Sequence, residues 1–316
     1  DLAVGWSQGY IRRASGDDEA ITAGGGIIDV ANDDDVLQLQ SFRTDGNATG
    51  TVQREPGGTA LQIIKLDDTW DYLSLSGFDA VANPSIDGLE SNGFAAGGFE
   101  SVIYDTQTEV DAGGFSYNPA NGEITLADDG NYLVFANTYL TSPSGRSNYH
   151  QALALNGEEI DGTRTSVYLR NADSANEGAL AFGGVISGSQ GDTLTVGVAR
   201  ETTSSGNATV DGTRTSLTIV KLPDTAQVIS LSDDTGQEVN QVAVEGATFQ
   251  QQNQVDAVFT HNEGERSVTV GETGDYLFLN TLFHQDDANP DSTGETGARS
   301  NVQTGYQVNG GGLLGA

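Results

Sequence analysis

The pentapeptide GWSQG near the N-terminus fits G-x-S-x-G, the pattern that carries the nucleophilic serine of many hydrolases. That chemistry requires a strand, a strained turn and a helix, which together lift the serine hydroxyl out of a sheet. Only DLAV precedes the motif, and the segment YIRRASGDDEA after it contains Ser-Gly-Asp-Asp, which interrupts a helix. We therefore do not expect Ser7 to act as a nucleophile. No other set of acid, base and nucleophile residues recurs or converges, so we predict no catalytic residues and no enzymatic activity.

Oxygen-bearing side chains in the segment HQDDANPDSTGETG have the alternate spacing of a calcium-binding loop. The candidate ligands are Asp287, Asn289 and Asp291. The sixth position is Ser292 where such loops have glycine, and the twelfth is Ala298 where they have glutamate. Two interpretations remain, a calcium site and a solvated acidic loop, and these departures favour the second. No other cofactor is expected.

Two sequons and three histidines complete the candidate site residues. Asn47 and Asn207 each begin an N-x-T sequon, which predicts glycosylation in a secreted protein and a Gly-Asn turn otherwise. His150, His261 and His284 show neither H-x-H nor H-E-x-x-H spacing. We expect ordinary surface or strand histidines there, and no zinc site.

Charge and composition exclude several kinds of partner. Thirteen lysines and arginines stand against 45 aspartates and glutamates, a net charge of −32 at pH 7. Such a surface repels phosphates, so we expect neither nucleic acid nor anionic lipid as a partner. Cysteine is absent, which excludes disulfides and thiolate chemistry, and no apolar run reaches the roughly 18 residues of a membrane span. The chain begins at Asp1 and lacks methionine, which predicts a processed product or a window cut from a longer protein.

The elements that would position any site are predicted to be strands. The 42 glycines and segments such as YLVFANTYL, DTLTVGVA and TSLTIVKL are typical of short strands separated by turns. Asn-Gly and Asp-Gly pairs between these segments predict tight hairpins. No amphipathic pattern sustains a helix of three turns, so we predict an all-β chain.

The sequence contains an internal repeat. Three segment pairs match independently at offsets of 153 to 158 residues: 58–76 with 214–232, 145–157 with 298–310, and 9–14 with 167–172. Arg146 recurs as Arg299, and Arg170 recurs as Arg12. In so acidic a chain we expect these arginines to pair with carboxylates within or between units.

The order of the matching pieces predicts three domain segments. Residues 67–222 hold one complete unit, residues 1–66 match only its C-terminal half, and residues 223–316 match only its N-terminal part. The chain is therefore predicted to be two repeats, one of them cut through its middle. Either half alone would expose unpaired strand edges, so we expect a neighbouring segment to complete it.

The complete unit resembles the jelly-roll superfamily of tumour necrosis factor and the globular heads of complement subcomponent q. Phe115, Gly130 and Tyr132 are similar to a family motif of aromatic residues and glycine, and Asn156-Gly157 is similar to its hairpin. ISGSQGDTLTVGV and TSLTIVKL are similar to two late strands of that family. The resemblance implies tandem antiparallel β-sandwiches with a binding or structural role, in a family that often forms trimers.

Three function classes compete: a structural protein in a filament, surface layer or adhesin stalk, a module that binds carbohydrate or a receptor, and a hydrolase. The hydrolase is disfavoured because no catalytic set is found. The cut within a repeat favours an assembly protein, because a free-standing binding module would begin and end at domain boundaries. We therefore predict a non-enzymatic, extracellular or cell-surface protein whose partners are head-to-tail copies or continuing repeats of the same chain. The alternative is an extracellular adhesin or other binding module.

Overall fold

The computed structural model describes the part of the chain that carries the complete unit and pieces of the segment after it. The described residues are 70–77, 98–110, 113–141, 144–171, 176–200, 207–233, 248–273, 277, 279, 306–307 and 313–314. Within them the chain forms strands and one 3₁₀ turn, Gly212–Arg214, and no α-helix. No helix in these ranges is therefore long and apolar enough to cross a bilayer.

Most of the described strands belong to one sandwich. In chain order they are β1 (Tyr72–Ser76), β2 (Glu100–Ser101), β3 (Thr106–Val110), β4 (Phe115–Asn118), β5 (Glu123–Leu126), β6 (Gly130–Thr141), β7 (Arg146–Leu155), β8 (Glu158–Glu159), β9 (Thr165–Arg170), β10 (Glu177–Gly188), β11 (Thr193–Arg200), β12 (Thr209–Val210) and β13 (Ser216–Lys221).

These strands form two antiparallel sheets. The first has the order β10-β6-β13-β1-β3, with β12 beside β6. The second has the order β4-β5-β11-β7-β8, with β2 beside β11 and β9 beside β7. The chain crosses repeatedly between the two sheets, so that neighbours within a sheet are far apart in sequence, as in a jelly roll. The predicted fold class, an all-β antiparallel sandwich, is confirmed.

The sequence forms these strands because its apolar residues alternate. Along β6, Val134, Ala136 and Leu140 are buried in the core between the sheets. Thr138 on the same face is polar, and its hydroxyl donates to Gln151 Oε1 of β7 at 2.6 Å. This buried hydrogen bond joins the two sheets across the core, which favours one packing arrangement over others.

Aromatic residues fill one end of the core. Tyr132 is fully buried, and its ring makes an edge contact with Phe115 at 5.8 Å between centroids. The Tyr132 hydroxyl donates to the Asp128 carbonyl oxygen at 2.6 Å. Burial raises the pKa of Tyr132 to about 12, and the nearby carboxylate of Asp128 acts in the same direction.

The predicted Asn-Gly hairpin is present between β7 and β8. Asn156 and Gly157 have φ angles of 53° and 82°, the left-handed pair that a type I′ turn requires. The Asn156 amide also donates to Asp192 at 2.8 Å and accepts from the Thr193 N–H at 3.0 Å. Those contacts tie the hairpin to the loop before β11 and lower the pKa of Asp192, chiefly through the Asn156 hydrogen bond.

Further strands follow the sandwich. They are β14 (Ile229–Ser232), β15 (Gln251–Val255), β16 (Phe259–Thr260), β17 (Thr269–Val270), β18 (Tyr306–Gln307) and β19 (Leu313–Leu314). They pair as β14 with β15, β16 with β17 and β18 with β19.

The register of β14 and β15 repeats that of β1 and β3. Leu73 pairs with Val110, and the matching Ile229 pairs with Val255. Both pairings then shift register after the second residue pair, between Ser74 and Leu75 in one and between Ser230 and Leu231 in the other. A bulge at the same place in both pairs is a specific backbone feature.

The register of β16 and β17 repeats that of β4 and β5. Phe115 pairs with Leu126, and Phe259 pairs with Val270. The same backbone hydrogen bond follows each pair, from Ala127 N–H to the carbonyl before β4 at 3.1 Å and from Gly271 N–H to the carbonyl before β16 at 2.7 Å. The domain boundaries at 66 and 222 stay predictions, because residues 1–66 lie outside the described ranges.

One aromatic pair occupies matching places in the two regions with different chemistry. In the sandwich, Tyr117 makes an edge contact with Tyr104 at 6.4 Å, and its hydroxyl both accepts from the Tyr104 N–H and donates to the Tyr104 carbonyl. In the following segment His261 makes the same kind of contact with Phe249 at 6.3 Å. Its ring nitrogens lie 3.3 Å from the Phe249 carbonyl and 3.1 Å from that of Ser267. His261 is therefore buried and lies outside the strands, whereas the sequence predicted a surface or strand histidine.

Candidate assembly interface

Most of the candidate site residues lie outside the described ranges. They are Asn47, Asp287, Asn289 and Asp291, and Ser7, for which we expect no catalytic role, lies outside them too. The described part of the chain contains no group of three or more histidine, aspartate or glutamate side chains that could hold a metal ion. The candidate calcium ligands are not among these residues, so the two interpretations of that loop, with the solvated acidic loop favoured, stay predictions.

Asn207 is the predicted glycosylation site that the structure describes. Its side chain is exposed, and its backbone exchanges two hydrogen bonds with Ser144, each 2.8 Å long. The Asn207 Oδ1 accepts from Arg200 Nη1 at 3.1 Å. The sequon thus lies at the surface on a fixed backbone, and glycosylation there stays a prediction.

The loop before β6, the loop after β10 and the last strand, β13, meet at one end of the sandwich. Lys221 of β13 pairs with Tyr132 at the start of β6, whose Gly130 pairs with the last residue of β10. Gln190, in the loop after β10, donates its N–H to Asp129 at 2.8 Å, and Lys221 lies 3.4 Å from Asp128. These contacts hold the two loops in place. We call this end of the sandwich, which carries Asp128, Asp129 and Gln190, the loop end, and it is the surface nearest the following segment.

The linker between the sandwich and β14 is short and hydrogen-bonded along its length. It reads LPDTAQV over residues 222–228 and contains no glycine. The Leu222 N–H donates to the Asn131 carbonyl at 2.7 Å, and the Val228 N–H donates to the Asp256 carboxylate at 2.6 Å. The linker is therefore bonded to the sandwich at one end and to the next hairpin at the other.

Direct contacts also join the sandwich to the hairpin of β14 and β15. The Ser187 hydroxyl at the end of β10 donates to Gln254 Oε1 at 2.6 Å. A Cβ on Gly162, whose φ is 79°, would lie only 3.1 Å from the Cβ of Ser232. The loop end of the sandwich therefore contacts the hairpin of β14 and β15, and the two sides of this contact are different surfaces.

The loop that carries Gly162 is braced from within the sandwich. The Arg164 guanidinium makes two hydrogen bonds with Glu159, at 2.8 and 2.5 Å, and lies 5.4 Å from the centre of the Phe99 ring. A bidentate arginine–carboxylate pair holds both side chains in one geometry. The loop surface presented to Ser232 is therefore preorganised.

A second charged cluster stabilises the opposite end of the sandwich. The Tyr139 hydroxyl and Arg214 Nη1 both contact Glu177 Oε2, at 2.8 and 3.1 Å. The Arg214 guanidinium also lies over the Tyr139 ring, 4.4 Å from its centre. Burial and the hydrogen bond to Glu177 raise the pKa of Tyr139. The cluster ties β10 to β6 and to the 3₁₀ turn, so its role is structural.

Sequence reasoning did not identify Gly162, Ser187, Ser232 or Gln254 as contact residues. The available signal was the linker itself, because LPDTAQV has a counterpart in LDDTWDY, which ends at the first residue of β1, and neither contains glycine. A short linker without glycine at both joints indicates a restricted orientation between units.

The strand order and pairing define the class of this protein as a jelly-roll β-sandwich. No protein-family model matches the chain, and no curated protein matches it. Similar solved structures include crystal structures of murine APRIL, a member of the tumour necrosis factor family, at pH 5.0 and pH 8.0. Each is 18% identical in sequence and covers 49% of this chain and 100% of the APRIL chain, with TM-scores of 0.33 and 0.34.

Proposed function

We propose that this protein is a non-enzymatic assembly protein whose jelly-roll repeats are joined head to tail in an extracellular filament or cell-surface stalk. The observation that supports this most is the shared register of two strand pairs. β14 pairs with β15 as β1 pairs with β3, including the bulge. A second unit that begins with the same hairpin, directly after a short linker, is what a tandem array requires.

The contact between the units supports propagation. The loop end of the sandwich contacts the first strands of the following unit through Ser187 and Gly162. Because the two surfaces differ, the same contact made again by the next unit produces an open chain unless it closes into a ring. Residues 223–316 would be completed by residues 1–66 of a neighbour or of a continuing chain, which pairs their strand edges.

The proposal is tested by comparing the natural chain with a circular permutant of identical composition. The permutant runs from residue 67 to 316 and then from 1 to 66, so that both repeats are complete within one molecule. We expect the natural chain to grow into open polymers as its concentration rises, and the permutant to stay monomeric. Sedimentation velocity and negative-stain images measure both. If the natural chain is a compact monomer like the permutant, the assembly role is wrong and an extracellular binding module becomes the better proposal.

A further inference from the structure

Four polar or aromatic side chains share the outward face of strands β7 and β9. Arg146 pairs in register with Arg170, and Asn148 pairs with Tyr168. They point away from the core because the residues next to them in the strands, Tyr149 and Leu169, belong to the buried cluster. Tyr168 is 55% exposed and Arg146 is exposed too. We name these four residues the arginine face.

All four residues recur in the other repeat. The segment RSN at Arg146 matches RSN at Arg299, and YLR at Tyr168 matches YIR at Tyr10. Positions just beyond these four differ between the same segments, since Tyr149 matches Val302, His150 matches Gln303 and Val167 matches Gly9. The inward Ser147, which lies between two of them, is kept as Ser300. The four residues of the arginine face are therefore identical in the two repeats while positions just beyond them change, and strand packing does not require these polar side chains.

Arg146 and Arg170 lie directly opposite each other on neighbouring strands. Like charges at directly opposed positions on neighbouring strands destabilise a sheet. Solubility does not require them, because this chain already carries 45 acidic residues. No ion pair joins Arg146 or Arg170 to a carboxylate among the described residues. A shared anionic ligand would remove the repulsion, and the planar guanidinium matches a carboxylate with two hydrogen bonds.

We propose that the arginine face binds acidic side chains of a second copy of this chain, as a lateral contact between neighbouring molecules. Charge complementarity selects this occupant, because the remaining surface has a large excess of carboxylates and the net charge is −32. Tyr168 supplies a flat, rigid contact beside the two charged groups. The proposal adds a lateral contact to the proposed filament, and the lateral contact forms independently of head-to-tail completion.

The test uses the full chain at an ionic strength of about 0.15 M, where charges beyond roughly 8 Å are screened. The variant R146Q/R170Q removes both guanidinia. Its control R266Q/Q251E changes the net charge by the same amount at exposed positions elsewhere. We expect R146Q/R170Q to weaken side-by-side association at least about tenfold and the control to match the unmodified chain. R146K/R170K keeps the charge without the planar fork, so we expect it to associate less than the unmodified chain and more than R146Q/R170Q.

Particle images separate this proposal from the proposed function, because lateral association changes the width of the particles and head-to-tail completion changes their length. Undiminished lateral association in R146Q/R170Q overturns the arginine face as the contact, as does an unmodified chain that never associates laterally. Alginate serves as an anionic polysaccharide probe. If alginate binds the unmodified chain and not R146Q/R170Q while self-association is unchanged, the occupant is a polysaccharide and the second copy is excluded.

Discussion

The aromatic pair after β2 and its counterpart after the linker have the same geometry and different chemistry. The rings of Tyr104 and Tyr117 meet at 63° and those of Phe249 and His261 at 71°, with nearly equal centroid distances. The Tyr117 hydroxyl satisfies both backbone groups of Tyr104, whereas the imidazole of His261 faces two carbonyl oxygens. The position of Tyr117 and His261 therefore suits a flat ring whose polar atoms contact backbone groups of the preceding segment. Tyrosine is not required there.

The two pairs differ in how far the backbone groups of one ring residue depend on the other ring for their hydrogen bonds. A phenol donates one hydrogen bond and accepts another, which suits the N–H and carbonyl of Tyr104. The Phe249 backbone depends less on its ring partner, because its N–H donates to the Glu265 carbonyl at 3.3 Å and its carbonyl accepts from the Gly264 N–H at 2.8 Å. Loss of the ring therefore leaves backbone groups without a partner in the sandwich and not in the following segment.

The largest expected difference between the two regions is their response to alkaline pH. Burial raises the pKa of Tyr104, Tyr132, Tyr139 and Tyr149 in the sandwich, to about 12 for Tyr132 against an ordinary value of 10.0. A raised pKa contributes stability that is fully present below pH 10 and is lost as the pH rises through the folded value. We therefore expect the sandwich to unfold between about pH 10 and 12. Tyrosinate absorbance followed together with circular dichroism measures this.

The following segment provides the internal control for that experiment. It has Phe249 and Val302 where the sandwich has Tyr104 and Tyr149. Limited proteolysis at rising pH should cut within residues 72–221 before it cuts within 229–273. Cleavage in the opposite order would contradict the assignment of alkaline sensitivity to the buried tyrosines.

Removing the Tyr117 ring should produce the next largest effect. Tyr117→Ala deletes a partly buried ring and leaves both backbone groups of Tyr104 without their partner. We expect a loss of about 3 kcal/mol in the free energy of unfolding, measured in urea. The matched variant His261→Ala should cost less, because the Phe249 N–H and carbonyl keep their hydrogen bonds with Glu265 and Gly264. Equal losses in the two variants would remove the distinction between the pairs.

Removing only the Tyr117 hydroxyl separates the effect of its hydrogen bonds from that of its ring. Tyr117→Phe keeps the edge contact with Tyr104 and loses the two hydrogen bonds. We expect a loss of about 1.5 kcal/mol, since the Tyr104 N–H and carbonyl lose their partner. A variant as stable as the unmodified protein would show that water replaces the hydroxyl fully.

The smallest expected effect is a gain. His261→Tyr in combination with Phe249→Tyr installs the sandwich pair in the following segment. We expect an increase of about 0.5 kcal/mol, because the larger phenol ring buries more apolar surface than the imidazole, while the Ser267 carbonyl loses its contact. Hydrogen exchange of the Phe249 and Gly264 amides measures the change locally. Slower exchange supports the comparison, and faster exchange contradicts it.

The fold could be predicted from sequence because its signals are local. Alternating apolar residues in β6 and the Asn156-Gly157 pair determine strand and turn conformations within a few residues. The contact of Ser187 with Gln254 could not be predicted in this way, because it depends on the path of the linker. The arginine face was partly visible, since the repeat shows which arginines recur, but only the register places Arg146 opposite Arg170.

The place where the chain enters and leaves the sandwich determines how it would carry tension. β1 and β13 are antiparallel neighbours, and the Lys221 N–H donates to the Asp71 carbonyl at 2.8 Å where both strands meet the linkers. A pulling force on the two linkers therefore loads the ladder from one end, so its hydrogen bonds open one after another and never share the load. A stalk of such units would lengthen by peeling at low force, and single-molecule pulling should show stepwise extension.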